Sequence, residues 1–146
     1  MFTKILVGYD GTPHSDAALG VALDLARKYK AQLHAAAVAR LPDFAATVGE
    51  VQAAIDQAEE QYGEALGRAE KRARQARVRL QTHLLKGHEA KAILDFVGRE
   101  GCDLIVIGAR PLSTVQRYLL GGLSEALARH GGCPVLVVKG PAKLRA

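Results

Sequence analysis

Five short apolar runs punctuate the chain: Ile5–Val7, Leu33–Val38, Val78–Leu84, Leu104–Ile107 and Val135–Val138. The first, fourth and fifth are continuously apolar, the pattern of parallel strands covered on both faces. The third alternates, with Val78, Leu80 and Leu84 set against Arg79, Gln81 and His83. That predicts an edge strand with one wet face. Helical periodicity fills the gaps. Ala18, Ala22, Leu25 and Tyr29 mark a first helix after Thr12-Pro13, and a long second helix runs over roughly Val51 to Ala76. Ala90, Ile93, Leu94 and Val97 mark the third, and Leu119, Leu123, Ala126 and Leu127 the fourth, which ends at Gly131-Gly132 before Pro134. The order βαβαβαβαβ predicts one α/β domain over residues 1–146: a doubly wound open sheet of five mainly parallel strands, helices on both faces and right-handed crossovers. Arg40 to Gly49 is the longest irregular stretch, and the tail from Gly140 is expected to be mobile.

The length of 146 residues suits a single core that needs no disulfide or metal staple. Two cysteines, Cys102 and Cys133, suit a reducing compartment. With neither a secretory signal nor an apolar run near the ~20 residues of a membrane span, the chain is expected in the cytoplasm.

The net charge of +5 raises the question of nucleic acid. Glu50 to Glu64 carries Glu50, Asp56, Glu59, Glu60 and Glu64 with no Lys or Arg, and Arg68 to Arg79 carries six basic residues against Glu70. Acid first and base last is how a long helix complements its own dipole. Glu64–Arg68 and Glu70–Arg74 are i,i+4 pairs of the helpful polarity. With aromatics at 5% and no nucleic-acid motif, the charge reads as a solvated helix face, and no specific nucleic-acid partner is expected.

Ligands of open α/β sheets bind outside the carboxyl ends of the strands, where strand order reverses. The unusual residues cluster at such ends: Asp10-Gly11-Thr12-Pro13 after the first strand, Gly108-Ala109-Arg110 after the fourth, and Gly121-Gly122-Leu123-Ser124 at the last helix. Glycines at a helix N-terminus expose N–H groups to an anion, and Arg110 and Arg117 add positive charge. Paired glycines also occur where backbones simply pack closely. Thr12 serves equally as a helix cap or a ligand contact, and Asp10 equally as a turn residue or a ligand contact. No nucleophile, base and orienting group fall together, so no catalytic residue is assigned, and no metal-ligand spacing appears among the histidines.

The opening Lys4 to Thr12, the segment Asp103 to Gly108 and the stretch Gly121 to Val138 resemble the universal stress protein family over nearly the whole chain. The resemblance implies strand order 3-2-1-4-5 and a stress-response regulatory module. It also implies an adenine-nucleotide site (ATP, with Mg²⁺ if a triphosphate, or another adenine nucleotide). In that site Asp10 and the Val38 backbone lie near the adenosine, Gly108 and Arg110 near the ribose and phosphates, and Gly121, Gly122, Leu123 and Ser124 near the phosphate tail, with Gly11 and Thr12 also among the implied nucleotide-binding residues. The nucleotide motif Gly-x2-Gly-x9-Gly-Ser/Thr aligns with Gly108, Pro111, Gly121 and Gly122. Pro111 removes a backbone donor and Gly122 a hydroxyl. A dimeric interaction protein without nucleotide, or a slow ATP hydrolase, are the alternative functions on this fold. The family also implies a homodimer through the last strand, Val135, Leu136, Val137 and Val138, an apolar edge open to pairing. A protein client is not legible. In that strand order His34 and His83 lie on neighbouring strands and read as ordinary strand residues rather than a metal pair. Cys102 and Cys133 read as inert buried thiols.

Overall fold

A computed structural model describes residues 1–41, 47–111, 118–119 and 122–140. The strands β1 (Lys4–Gly8), β2 (Gln32–Ala39), β3 (Leu80–Lys86) and β4 (Leu104–Gly108) alternate with the helices α1 (Pro13–Tyr29), α2 (Val48–Gln75) and α3 (Glu89–Glu100). A short antiparallel hairpin follows, β5 (Arg110–Pro111) with β6 (Tyr118–Leu119), then α4 (Leu123–His130) and β7 (Val135–Val138). The main sheet has the order β3-β2-β1-β4-β7, and all its pairings are parallel. This is the expected 3-2-1-4-5 arrangement, with β7 as its fifth strand.

Alternation along each strand sorts the core between two faces. Ile5 and Val7 of β1 join α1 and α2 on one side; Leu6 joins α3 and α4 on the other. α1 buries Ala18, Leu19, Ala22, Leu23 and Ala26; of the expected face Ala18 and Ala22 are in this stripe, Leu25 is partly buried against the same core, and Tyr29 is exposed. Small side chains let this helix lie close to the sheet, and Tyr29 turns instead to an edge-on contact with Phe2, centroids 5.6 Å apart.

β3 departs from the expectation of one wet face. Leu80 and Leu84 pack under α2, while Leu85 packs under α3 and His83 meets Phe96 of α3. Helices on both sides shelter even this edge strand. α2 begins earlier than the periodicity indicates, because Thr47 and Glu50 form a capping box ahead of Val48. Arg68 pairs with Glu64 at 3.2 Å as anticipated, whereas Glu70 accepts from Thr82 of β3 at 3.5 Å. Arg72 is not merely solvated: it donates to the Asp16 carbonyl at 3.2 Å and so ties α2 to α1.

Leu119, expected in the fourth helix, lies in β6. Its spacing to Leu123 matches a helical turn, but Gly122, with φ of +66°, breaks the helix between them. Residues 112–117, Leu120 and Gly121 lie outside the described residues, so the expectations for Arg117 and Gly121 are not addressed by the structure; the same holds for the tail 141–146.

Candidate functional site

Parallel strands followed by helices bring every βα junction to one end of the sheet. At the reversal of strand order between β1 and β4 these junctions enclose a pocket of about 420 Å³, within the usual range for small-ligand sites. Asp10 after β1, Val38 from β2, Gly108 from the end of β4, Arg110 from β5, and Gly122, Leu123 and Ser124 at the start of α4 all line it. Those expected site residues therefore converge.

Gly11 and Thr12 are outside the lining. Gly11 has φ of +85°, and a Cβ there would stand 2.8 Å from the Ala65 Cβ of α2, so it is the point where α2 closes on the β1–α1 turn. Thr12 is the N-cap of α1, its hydroxyl accepting from Ser15 N. The same hydroxyl donates to Asp10 Oδ1 at 2.6 Å, and Thr12 N donates to that oxygen at 3.0 Å. Burial acts to raise the Asp10 carboxyl. The Thr12 side-chain and backbone hydrogen bonds, then Ser15 and the charge of His14, outweigh it and hold the carboxyl below its ordinary range. An ionised, fixed Asp10 thus faces the pocket.

Two helix N-termini border the cavity. His14 and Ser15 belong to the first turn of α1, and α4 opens at Gly122 with no side-chain cap among the described residues. Their dipoles present positive ends to a ligand. Arg110 and Arg40 add guanidinium groups; Arg40 lies 3.5 Å from Glu89, the first residue of α3. On the β2 side Val38, Tyr62 and Ile93 supply apolar and aromatic wall. A mixed cavity of this kind accepts a molecule with a flat ring at one end and an anion at the other. Tyr62, Glu89 and Ile93 carry no local signal for a site; they reach it because α2 and α3 flank the sheet on opposite faces. Among the described residues no three His, Cys, Asp or Glu side chains gather as a metal would require.

Tyr9 lies beneath Asp10 with 2% exposure and donates to Asp16 Oδ1 at 2.6 Å. Burial, this bond and the Asp16 charge push its phenol up to about 12. Asp103, at the opposite end of the sheet, accepts from Thr3 N and Lys4 N and so anchors β1 beside β4. The cysteines differ from each other: Cys102 is buried, its thiol pushed up to about 11 chiefly by that burial, while Cys133 is half-buried.

Sheet order and pocket together define an open doubly wound α/β domain with a small-molecule cavity at its topological switch point. The model of the universal stress protein family matches residues 1–139, and the chain belongs to that family. A universal stress protein of Methanocaldococcus jannaschii is 31% identical over 145 residues, covering 98% of this chain and 85% of the relative. The universal stress protein UspA of Lactobacillus plantarum superposes with a TM-score of 0.78 at 23% identity, over 94% of this chain and 97% of its own. A universal stress protein solved in complex with cAMP superposes with a TM-score of 0.72 at 25% identity, over 94% of this chain and 97% of its own. Among the described residues no helix is long and apolar enough to cross a membrane.

Proposed function

We propose that this single-domain universal stress protein is a regulatory module that binds an adenine nucleotide in the pocket between the carboxyl ends of β1 and β4. The observation that carries the reading is the convergence there of Asp10, Val38, Gly108, Arg110 and the start of α4. Val38, Tyr62 and Ile93 suit a base, Asp10 a ribose hydroxyl, and the α4 N-terminus with Arg110 a phosphate. The cAMP complex of a similar protein supports a ligand of this class. A monophosphate suits the loop after β4 better than a triphosphate, since Arg110–Pro111 pairs as a hairpin strand and Pro111 has no N–H to offer. Mg²⁺ would enter only with a triphosphate, held mainly by phosphate oxygens and water. Mass spectrometry of nucleotide released from the denatured protein, with calorimetric titration of AMP, cAMP and ATP with and without Mg²⁺, tests this. Absence of any adenine nucleotide in both experiments refutes it.

The free edge of β7 supports a homodimer. Leu136 is 38% exposed, and the strand has no neighbour on its outer side among the described residues. Two unpaired thiols suit action in the reducing cytoplasm.

A further inference from the structure

His34 on β2 and His83 on β3 are joined ring to ring, His34 Nδ1 lying 2.9 Å from His83 Nε2. One nitrogen of that bond must be an unprotonated acceptor, so the bond requires at least one neutral imidazole. His34 is 2% exposed, and its Nε2 is buried with no hydrogen-bond partner among the described residues. A proton placed there finds no acceptor among them. Phe96 of α3 closes over both rings, its centroid 5.5 Å from that of His34 and 4.6 Å from that of His83. The pair therefore joins β2, β3 and α3 in a single contact. Lys4 from β1 and Arg99 from α3 oppose charge on it, while Glu100 from α3 favours charge. Lys4 is itself held by the Glu100 carbonyl at 2.8 Å, and Arg99 lies over the Phe96 ring.

We propose that the His34–His83 pair is an acid-sensitive brace: neutral, it locks β3 and α3 onto the sheet; protonated, it releases them. Burial depresses both imidazoles below the ordinary histidine value, and for His34 the neighbouring His83 depresses it further. The sign follows from linkage. An opened or unfolded imidazole titrates near 6.5, so below that pH the open form takes up protons that the closed form refuses. The contribution of the brace is complete above about pH 6.5 and is lost as pH falls through the lower values of the closed pair. The consequence reaches the pocket. His34, Ala36 and Val38 share one face of β2, and Ile93 precedes Phe96 by one turn of α3; Ala36, Val38 and Ile93 all line the cavity. Acid release of α3 therefore loosens one wall of the pocket, a step that rests on the nucleotide reading above.

Hydrogen exchange at pH 7.5 and 5.0, corrected for intrinsic rates, reads the brace without any ligand. Amides of β3 and α3 should lose more protection on acidification than those of β1 and β4. His83→Gln keeps a hydrogen-bonding side chain but cannot take the proton, and it should shrink that difference. An NMR titration of the parent should place both imidazoles below 6.5, and it decides the matter if the variant fails to fold. Midpoints at or above 6.5, or a uniform acid loss across the sheet, overturn the brace. AMP titrations at both pH values form a separate arm in which His83→Gln controls for the titration of the phosphate itself. No AMP binding at pH 7.5 removes the nucleotide reading and leaves the exchange result standing. Binding with equal pH dependence in parent and variant removes the link to the pocket.

Discussion

Gly108 lies directly beneath the carbonyl of His14, so close that any Cβ at 108 would collide with that backbone oxygen. The end of β4 and the first turn of α1 meet there, and the meeting sets the floor of the pocket. Gly108 thus has a packing requirement whatever ligand the pocket takes. Gly108→Ala must displace α1 or β4 and should cost about 1–3 kcal/mol, the usual penalty of overpacking. Gly63 gives the contrast: it is exposed in the middle of α2 with open space around it. Gly63→Ala should stabilise by up to about 1 kcal/mol through helix propensity. Urea denaturation of the two variants checks both signs.

The phenol of Tyr9 predicts an alkaline limb in stability. Its value in the fold, about 12, exceeds the ordinary 10, so the folded state keeps a proton that the unfolded chain releases. Stability from this group is complete below pH 10 and declines as pH rises from 10 toward 12. Tyr9→Phe should be less stable than the parent at neutral pH, having lost the bond to Asp16, yet should decline less steeply above pH 10. Denaturant midpoints measured between pH 8 and 11 settle it; parallel curves for the two proteins would exclude the phenol as the cause.

The sheet was legible because each of its strands is a short apolar run and each crossover carries the period of its own helix. The hairpin of β5 and β6 was not, since two residues per strand give no period to read, and Leu119 happens to stand one helical turn from Leu123. Asp10 and Gly108, which line the pocket, were legible as candidates because strand ends are where such folds bind ligands. Glu89 and Tyr62 reach the pocket only through the packing of α3 and α2 on the sheet, which no local pattern encodes. The bond between His34 and His83 depends on the register of β2 against β3, in which His34 lies opposite Gln81 and His83 opposite Ala36. The neighbouring strands were legible; that offset was not.

The loop after β4 predicts how nucleotide affinity responds to substitution. Pro111→Gly restores a backbone N–H near the expected phosphates, worth at best roughly 1.5–3 kcal/mol for a bond to a charged group. Some of that is offset by the freedom a glycine adds to the unfolded loop. Gly122→Ser restores a hydroxyl, but at φ of +66° a serine is strained by roughly 1–2 kcal/mol. Pro111→Gly alone should therefore tighten ATP more than AMP, and adding Gly122→Ser should give no further gain. Calorimetry on the three variants tests the order; a double variant that binds ATP best would contradict the strain argument.

The edge of β7 yields the most selective test of assembly. Ile105 N donates to the Pro134 carbonyl and Ala109 N to the Val138 carbonyl, which fixes the phase of the β4–β7 ladder. In a parallel pair alternate residues turn their N–H and C=O to the neighbour. Leu136 and Val138 therefore bond inward to β4, and Val135 and Val137 turn their polar backbone groups to the open edge. Val137→Pro removes an outward donor without breaking an inward bond, so it should leave the monomer fold intact while disrupting any dimer that adds strand to strand. Leu136→Asp should weaken the same dimer by a different route, placing a carboxylate where an exposed apolar side chain stands. Sedimentation velocity at micromolar concentration should show a dimeric parent and two monomeric variants, with circular dichroism unchanged. A dimer that survives both substitutions would place the interface on another surface, and a monomeric parent would remove the dimer altogether.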